Sequence, residues 1–275
     1  MNLAIDQWYT RRQKDAEGDF YRKVILQSPQ NNVNSTTQGL FLATPDGKLL
    51  GFTNNRSPEW VREMLKKGLA KFEPADAPLL ENKSPDPNFN YRLPEGGFIL
   101  TVTSKVLSGY EASISKEVGF FQNSIGRDVL WVRKDEHQAL VRGELMDSLK
   151  RRLAMYNLID NTRGEPHPWT AAEIKKLDLT LKDGVILGSV HLENENGSRS
   201  YHCEIRGRVE AKDGKLTRFD LTAKGPARGA SGCTMNSMPK GDFTLAVACR
   251  LASGQDEADK VMPQGAKSWF PDYMR

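Results

Sequence analysis

Cysteine is scarce in this sequence, because its 275 residues contain only Cys203, Cys233 and Cys249. No two of them have the CxxC spacing, and at most one disulfide bridge can form among three thiols. A disulfide framework is therefore excluded, and the cysteines do not indicate a redox compartment.

Long apolar runs are also missing. No run approaches the roughly 18 residues that a helix needs to cross a bilayer, so we expect no membrane span. The first eight residues have neither the basic region nor the apolar region of a signal peptide. We therefore expect a cytoplasmic protein, or an exported or periplasmic one if a leader is missing from this chain.

Strong charge and familiar catalytic motifs are absent as well. The net charge is +4, the pI is about 8.8, and basic pairs such as Arg11-Arg12 and Arg151-Arg152 are scattered without aromatic residues between them. Nucleic-acid surfaces usually show a basic stripe, so we expect no nucleic-acid partner. The sequence has no GxSxG, HExxH, phosphate-binding glycine loop or dinucleotide fingerprint. The partner, a ligand or another protein, stays open.

Within residues 40–72, two patterns predict a hairpin followed by a helix. Two short apolar runs flank Pro45-Asp46-Gly47, where proline presets φ and glycine takes the left-handed position of a turn. Ser57-Pro58-Glu59 then supplies an N-cap, a first-turn proline and an acidic first turn. We expect this helix to bury Val61, Met64, Leu65, Gly68, Leu69 and Phe72.

The order of helix, loop, hairpin and helix resembles the second half of the thioredoxin fold. Residues 40–51 are similar to the hairpin of thioredoxin-like proteins, and the resemblance covers residues 2–73. The first β–α unit and its CxxC are absent, and Thr36-Thr37-Gln38 stands where that family has a cis-proline. Thiol–disulfide exchange needs a thiolate, so the resemblance implies a redox-inactive segment. We also hypothesise that the chain is a fragment of a longer precursor.

A second resemblance concerns the whole chain. Residues 160–166 (DNTRGEP) and 218–221 (RFDL) resemble segments of uncharacterised exported bacterial proteins that pair a thioredoxin-like part with a β-rich part. This resemblance implies no activity.

Proline divides the chain. Residues 73–97 contain five prolines and cannot form a regular element. We predict a thioredoxin-like segment without CxxC over residues 1–73, a proline-rich linker over 74–97, and an antiparallel β-rich domain over 98–275. The predicted fold class is α+β, in which a partial thioredoxin-like α/β segment precedes a mainly antiparallel meander, sandwich or barrel.

Residues 177–223 predict four consecutive antiparallel strands. The predicted turns are the two-residue Asp183-Gly184 and Asn196-Gly197 and a three-residue loop at 212–214. Counting outward from these turns pairs Leu181 with Ile186, Val190 with Cys203, and Val209 with Thr217. All three registers place the apolar side chains on one face, so we expect Cys203 and Cys249 to be small core residues.

Two further elements complete the predicted β-rich domain. Residues 243–249 alternate in the same way and predict another strand. Residues 146–158 predict an amphipathic helix with Leu149, Leu153 and Tyr156 inward and residues 150–152 outward.

The polar face of the meander brings two histidines together. His191 is predicted to lie opposite His202, with Cβ atoms roughly 4.5–5.5 Å apart. Glu193 or Glu204 would add a carboxylate, which gives the two-histidine, one-carboxylate set that suits zinc or non-haem iron. The alternative is an ordinary solvated sheet face, which alternates in the same way.

Two functions from different classes follow. In the first, a redox-inactive thioredoxin-like segment is joined to a β-rich binding or interaction domain, on whose solvated face Arg206 and Asp220 form an ordinary ion pair. In the second, the β-rich domain is a metal-dependent enzyme of hydrolase or oxygenase type, which works at the polar face with residues 109–127 as a lid. The first needs fewer assumptions, and whether the protein is an enzyme stays open.

Overall fold

The structure is a computed structural model, and it describes residues 5–35, 37–74, 83–89, 91–109, 123–164, 167–229, 241–256, 261–266 and 273–274. The chain divides into two units, Met1–Tyr91 and Arg92–Arg275, and the division falls within the predicted linker. The predicted α+β class is confirmed, because helices accompany a mainly antiparallel sheet. None of the helices in the described ranges has the length and apolar character needed to cross a bilayer.

Two acidic residues begin the first helices. Asp6 accepts a hydrogen bond from Trp8 N at 2.9 Å at the start of α1 (Gln7–Thr10). Asp15 accepts one from Gly18 N at 3.0 Å at the start of α2 (Ala16–Leu26). Each carboxylate satisfies an amide that has no partner within the helix.

The predicted hairpin and helix follow. Strand β1 (Leu40–Ala43) pairs antiparallel with β2 (Leu49–Thr53), and helix α3 spans Pro58–Leu69. In the hairpin turn, Gly47 N donates to Thr44 O at 2.9 Å, and Gly47 has a φ of +86°. Glycine adopts this left-handed conformation without steric cost.

Helix α3 contacts the hairpin along a single line. Gly68 is its only buried residue, and a Cβ there would lie 2.2 Å from the Leu42 side chain. The predicted burial of Leu65, Leu69 and Phe72 is wrong, because 40%, 63% and 38% of their surfaces are exposed. Two strands about 5 Å apart are too narrow to cover the whole apolar side of a helix.

Part of the proline-rich segment packs within the first unit. The Asp86 backbone amide donates to Asp15 Oδ2 at 2.8 Å, and Asp86 Oδ2 accepts from Lys14 N at 2.9 Å. These two hydrogen bonds attach residues 83–89 to the start of α2.

The second unit contains one seven-stranded antiparallel sheet. Its strands are β3 (Phe98–Ser108), β4 (Gly126–Val132), β5 (Ile174–Lys182), β6 (Val185–Glu193), β7 (Ser200–Lys212), β8 (Lys215–Arg228) and β9 (Phe243–Leu251). Their order across the sheet is β4-β3-β9-β8-β7-β6-β5. The predicted four-strand meander and the further strand are therefore confirmed.

Two of the three predicted registers are confirmed. Asp183 and Gly184 both have positive φ, and Leu181 pairs with Ile186. Val190 also pairs with Cys203 as predicted, but the connection is longer than a two-residue turn. Asn194 N donates to Arg199 O at 3.0 Å, and Gly197 N donates to Asn194 O at 3.1 Å. The register is unchanged because the loop, residues 194–199, has the same midpoint as the predicted Asn196-Gly197 turn.

The third register is wrong by two residues, since Val209 pairs with Phe219 instead of Thr217. The turn has two residues, Asp213 and Gly214, both with positive φ. A pairing irregularity then follows at Glu210. A shift of two residues leaves every side chain on its predicted face, because successive side chains point to opposite sides of a strand.

Two helices lie against the apolar side of the sheet. They are α4 (Lys134–Val141) and α5 (Asp147–Arg152), and α5 continues as a π-helical turn, Leu153–Asn157. Leu149, Leu153 and Tyr156 are buried, as predicted. A small cavity lined by Leu149 and Leu153 of the helix is also lined by Leu221 and Cys249 of the sheet.

The predicted outward position of Arg152 is wrong. Arg152 is 3% exposed, and its Nη2 donates to the carboxylate of Glu136 in α4. The Glu136 side chain is fully buried. A second guanidinium nitrogen, Arg152 Nη1, donates to Trp131 O at 2.7 Å. A buried arginine is tolerated here because its charge is paired and both of its terminal nitrogens donate to acceptors.

Candidate functional site on the outer face of the sheet

One face of the seven-stranded sheet is solvated over six strands, whereas on β4 Val129 and Trp131 of the same face are buried. A row of directly opposed residues crosses all seven strands, and every member is exposed: Arg127, Thr103, Ala248, Thr222, Arg206, Leu187 and Thr180. We call this row, together with the residues at every second position along each strand, the outer face. The row is roughly 29 Å long, since neighbouring strands are about 4.8 Å apart.

The predicted histidine pair lies on the outer face. His191 and His202 are directly opposed, and their rings stack with centroids 5.0 Å apart and an interplanar angle of 22°. His191 Nε2 lies 3.3 Å from Glu193 Oε2, and these two side chains are 33% and 39% exposed. The structure therefore brings three of the four predicted metal ligands into contact.

Glu204, the fourth predicted ligand, lies opposite Ser189 on one side and Lys224 on the other. Among the described residues, no three histidine, cysteine or carboxylate side chains are arranged so that they could hold a metal ion. Metal binding stays a prediction. Residues 110–122, most of the predicted lid, lie outside the described ranges.

Two of the three cysteines belong to the core, as predicted. Cys203 and Cys249 are free and buried. Burial raises the pKa of each thiol to about 12. The reactive form of cysteine is the thiolate, so neither residue is suited to nucleophilic chemistry. Cys233 lies outside the described residues.

Four cations on the outer face form no ion pair with the acidic residues that the structure describes. Among the described residues, no carboxylate lies within 4.0 Å of the charged groups of Arg127, Arg206, Lys224 or Arg250. Arg127 and Arg206 stand at the two ends of a five-residue stretch of the row, four strand spacings or roughly 19 Å apart. Lys224 and Arg250 lie between those ends on β8 and β9, to either side of the row. We call these four residues the cation group.

The cation group surrounds a floor of small side chains. Thr103, Ala248 and Thr222 fill the row between Arg127 and Arg206. None of the three is long enough to cover its neighbours. Arg127 and Arg250 also line a pocket of about 590 Å³ together with Asp256 and Val261, so a partner would lie on the floor and enter this pocket at its β4 end.

Neighbouring cations on β7 and β8 are paired instead. Arg208 Nε donates to Glu210 Oε1 at 2.7 Å, and Arg218 lies beside both Glu210 and Asp220. The predicted pairing of Arg206 with Asp220 is wrong. The two-residue register shift places Arg208 opposite Asp220 and Thr222 opposite Arg206.

A second polar cluster stands near the start of β7. Arg163 is 1% exposed, and its Nε donates to Asp160 Oδ2 at 3.0 Å. Arg199 lies 3.8 Å over the Trp169 ring and donates to His167 O at 2.8 Å, and desolvation lowers the pKa of Arg199 to about 10. The cavity beside them holds about 20 Å³, which is room for one water molecule. We assign this cluster to the stability of the fold.

Sequence reasoning identified the histidine pair but missed the cation group. The alternation of exposed residues already places Arg206 and Lys224 on the polar side of their strands. The missing information was the pairing of β3 with β9, which brings Arg127 and Arg250 onto the same surface. Comparison with protein-family models, curated proteins and solved structures gives no match to this chain.

Proposed function

We propose that the chain is a binding protein whose second unit uses the outer face to bind an acidic polypeptide. The observation that carries this proposal is the cation group, four positive side chains around a floor of small residues, none of which has a carboxylate of the described residues within 4.0 Å. A cation that already has an acidic partner must lose it before it binds another carboxylate. Within the described part of the chain, the members of the cation group have no such contact to lose.

Electrostatics determines the kind of binding to expect. A single exposed ion pair contributes little, but several cations facing one acidic partner act together. Exposed charges are screened beyond roughly 8 Å at physiological ionic strength. We therefore expect modest affinity that falls steeply as salt is added, with most of the effect on the association rate.

An acidic polypeptide fits this surface better than a nucleic acid does. Proteins that bind single strands stack the bases on aromatic side chains, and the floor here is formed by Thr103, Ala248 and Thr222. The floor measures roughly 19 Å across the strands, which accommodates one acidic helix of about 10–12 Å diameter.

The test compares two variants, each of which removes two positive charges from the outer face. Arg206→Gln/Arg250→Gln removes two members of the cation group, whereas Arg208→Gln/Arg218→Gln removes two paired arginines from the same face. The probe is dye-labelled poly-L-glutamate, and binding is measured by fluorescence anisotropy at several salt concentrations. We expect the first variant to raise Kd about tenfold, since two lost contacts of about 0.7 kcal/mol each give that factor. The second variant should change Kd less than twofold.

Three outcomes would overturn the proposal. The wild-type protein would show no binding to poly-L-glutamate at low salt, or both variants would weaken binding equally, which would indicate an effect of net charge alone. Tighter binding to a labelled DNA duplex than to poly-L-glutamate would assign the surface to a nucleic acid instead.

For the first unit we propose a thioredoxin-like scaffold without redox chemistry. The order of α2, β1, β2 and α3 supports this proposal, as does the absence of cysteine from the first 91 residues of the sequence. Thr36, at the position of the family's cis-proline, lies outside the described residues. The resemblance of the whole chain to exported bacterial two-domain proteins belongs to the same proposal.

Metal binding on the outer face is the second candidate function. It is favoured by the contact of the His191 and His202 rings and by the 3.3 Å approach of Glu193 to His191. Zinc titration by calorimetry tests it, with His202→Ala as the variant and His137→Ala as the matched control. Binding heat that disappears only in His202→Ala would support a metal-dependent role, and no heat with the wild-type protein would exclude zinc binding at this site.

A further inference from the structure

Helix α3 exposes an aromatic side chain that its own unit does not cover. Trp60 is 62% exposed and lines a groove of about 480 Å³ between α3 and β2, together with Met64 and Phe52. Large aromatic residues in such positions are typical of surfaces that bind another protein.

A regular stripe of charge runs along the same flank of the helix and continues just past its end at Leu69. Glu59, Glu63, Lys67 and Lys71 follow one another at intervals of four residues, and all four line the groove. Residues four apart are neighbours on a helix surface, so the stripe has an acidic half and a basic half. Like charges at this spacing are mildly unfavourable within one helix.

The sign of each half agrees with the helix dipole, which favours acids at the N-terminus and bases at the C-terminus. The dipole does not account for the exposed Trp60 beside the stripe. It also does not account for the strict spacing of four, which places all four charges on one flank.

We propose that α3 pairs with α3 of a second copy of this chain in an antiparallel, two-fold symmetric dimer. An antiparallel partner centred on Leu65 places Glu59 opposite Lys71 of the second copy, and Glu63 opposite Lys67. Each contact then occurs twice because of the two-fold symmetry. The two glutamates and the two lysines, which repel each other within one helix, each gain a partner of opposite sign in the other copy. This is the self-complementarity that a two-fold interface requires.

The tryptophan lies in the row of side chains directly beside the stripe. Trp60 precedes Glu63 by three residues and Met64 precedes Lys67 by three, and residues three apart are neighbours on a helix surface. The apolar groove of Trp60, Met64 and Phe52 therefore adjoins the charged contact.

The size of the surface sets the expected strength. A 12-residue helix is roughly 18 Å long, and one flank of it buries less than the roughly 800 Å² that each partner contributes to a standard interface. Glu63 also has Lys66 of its own helix at 3.2 Å, an exposed pair. We expect a dimer with a micromolar Kd that weakens as salt is added.

The test uses charge reversal and sedimentation velocity of the full chain over a range of concentrations. Glu59→Lys/Glu63→Lys makes the whole stripe basic, and Lys67→Glu/Lys71→Glu makes it acidic. Each variant alone should weaken self-association at least tenfold. An equimolar mixture of the two should form a heterodimer tighter than the wild-type homodimer, because every contact then joins opposite charges. Lys23→Glu/Lys48→Glu is the matched control, since it reverses two exposed cations of the same unit, on α2 and beside the hairpin turn, and should leave Kd within twofold of the wild type.

Several results would overturn the proposal. The wild-type chain would remain a monomer at every concentration, or the mixture of the two reversed variants would show no heterodimer. A dimer that survives both reversals but is lost in Leu65→Gln/Leu69→Gln would place the interface on the other flank of the helix. Circular dichroism of each variant establishes that the fold is retained, and none of these substitutions changes the outer face of the second unit.

Discussion

The buried ion pair between Glu136 and Arg152 permits a quantitative test of the fold. Glu136→Gln removes one charge and conserves the shape of the side chain. The carboxylate accepts hydrogen bonds from Ser148 Oγ at 2.7 Å, from Arg133 N at 2.9 Å and from Arg152 Nη2. The amide that replaces it has one acceptor oxygen instead of two, and it leaves Arg152 buried without a counter-charge.

Glu136 and Arg152 are not expected to contribute equally to the stability of the fold. Arg133 Nη2 lies 3.3 Å from Glu136 Oε1, so two cations share this single carboxylate. Removing Glu136 leaves the buried Arg152 uncompensated and leaves Arg133 with only the exposed Asp135 at 3.3 Å, whereas Arg152→Met leaves Glu136 with Arg133. Losing one partner of a buried pair costs about 3–5 kcal/mol. We therefore expect Glu136→Gln near the upper end of this range and Arg152→Met near the lower end.

Thermal unfolding followed by circular dichroism measures both effects. A unit of this size shifts its Tm by about 2–4 °C per kcal/mol, so Glu136→Gln should lower the Tm by about 10–20 °C. The matched control is Glu210→Gln, which removes an exposed carboxylate that also has two arginine neighbours. Exposed pairs contribute little, so the control should unfold at the wild-type temperature.

A double variant completes the test. In Glu136→Gln/Arg152→Met neither buried charge remains, so the Tm should recover part of the loss seen in Glu136→Gln alone. If Glu136→Gln unfolds at the same temperature as Glu210→Gln, the carboxylate is not buried against Arg152. If the losses of the two single variants simply add, the two residues are not coupled.

The buried thiols give the remaining predictions. In Cys233→Ser, neither Cys203 nor Cys249 should react with Ellman's reagent at pH 8 until the protein is unfolded, and rapid reaction of the native protein would contradict their burial. Burial raises the folded-state pKa of both thiols to about 12, while the unfolded value is about 8.5. The unfolded chain therefore loses these protons first as pH rises, and the free energy of unfolding should fall between about pH 9 and pH 12. Urea titrations should show that the free energy of unfolding falls less with pH in Cys203→Ala than in the wild type. An equal fall in Cys203→Ala and the wild type would refute the raised pKa of Cys203.

Much of the second unit follows from the sequence because its turns carry local information. Asp183-Gly184 fixes one hairpin through two positive φ values, and the alternation of apolar residues fixes which face is buried. The error at Asp213-Gly214 had no consequence for the face, since the turn and the irregularity between Glu210 and Ala211 each shift the register by one residue and together by two. A shift of one residue would have moved Val209 to the solvent.

Two features were not predictable from local patterns. The burial of Arg152 depends on α4 supplying Glu136, a residue 16 positions away, and no periodicity within α5 indicates it. The exposure of Leu65 and Leu69 depends on the width of the sheet beneath α3, which the helix sequence does not contain. In both cases a local pattern was correct about the element but not about what the element packs against.

The outer face shows why pairing matters more than net charge for inferring a binding surface. A solvated antiparallel face needs polar side chains, and a mixture of both signs satisfies that need, as Arg208, Glu210 and Arg218 do. Lys224 and Arg250 lie directly opposite Glu204 and Asp220, yet in the described part of the chain neither cation comes within 4.0 Å of a carboxylate. The same strands thus carry cations that form ion pairs beside cations that form none with the described residues, and the second group surrounds Thr103, Ala248 and Thr222. A surface selected only for solubility has no reason to separate its charges in this way, whereas a surface that receives carboxylates from a partner does.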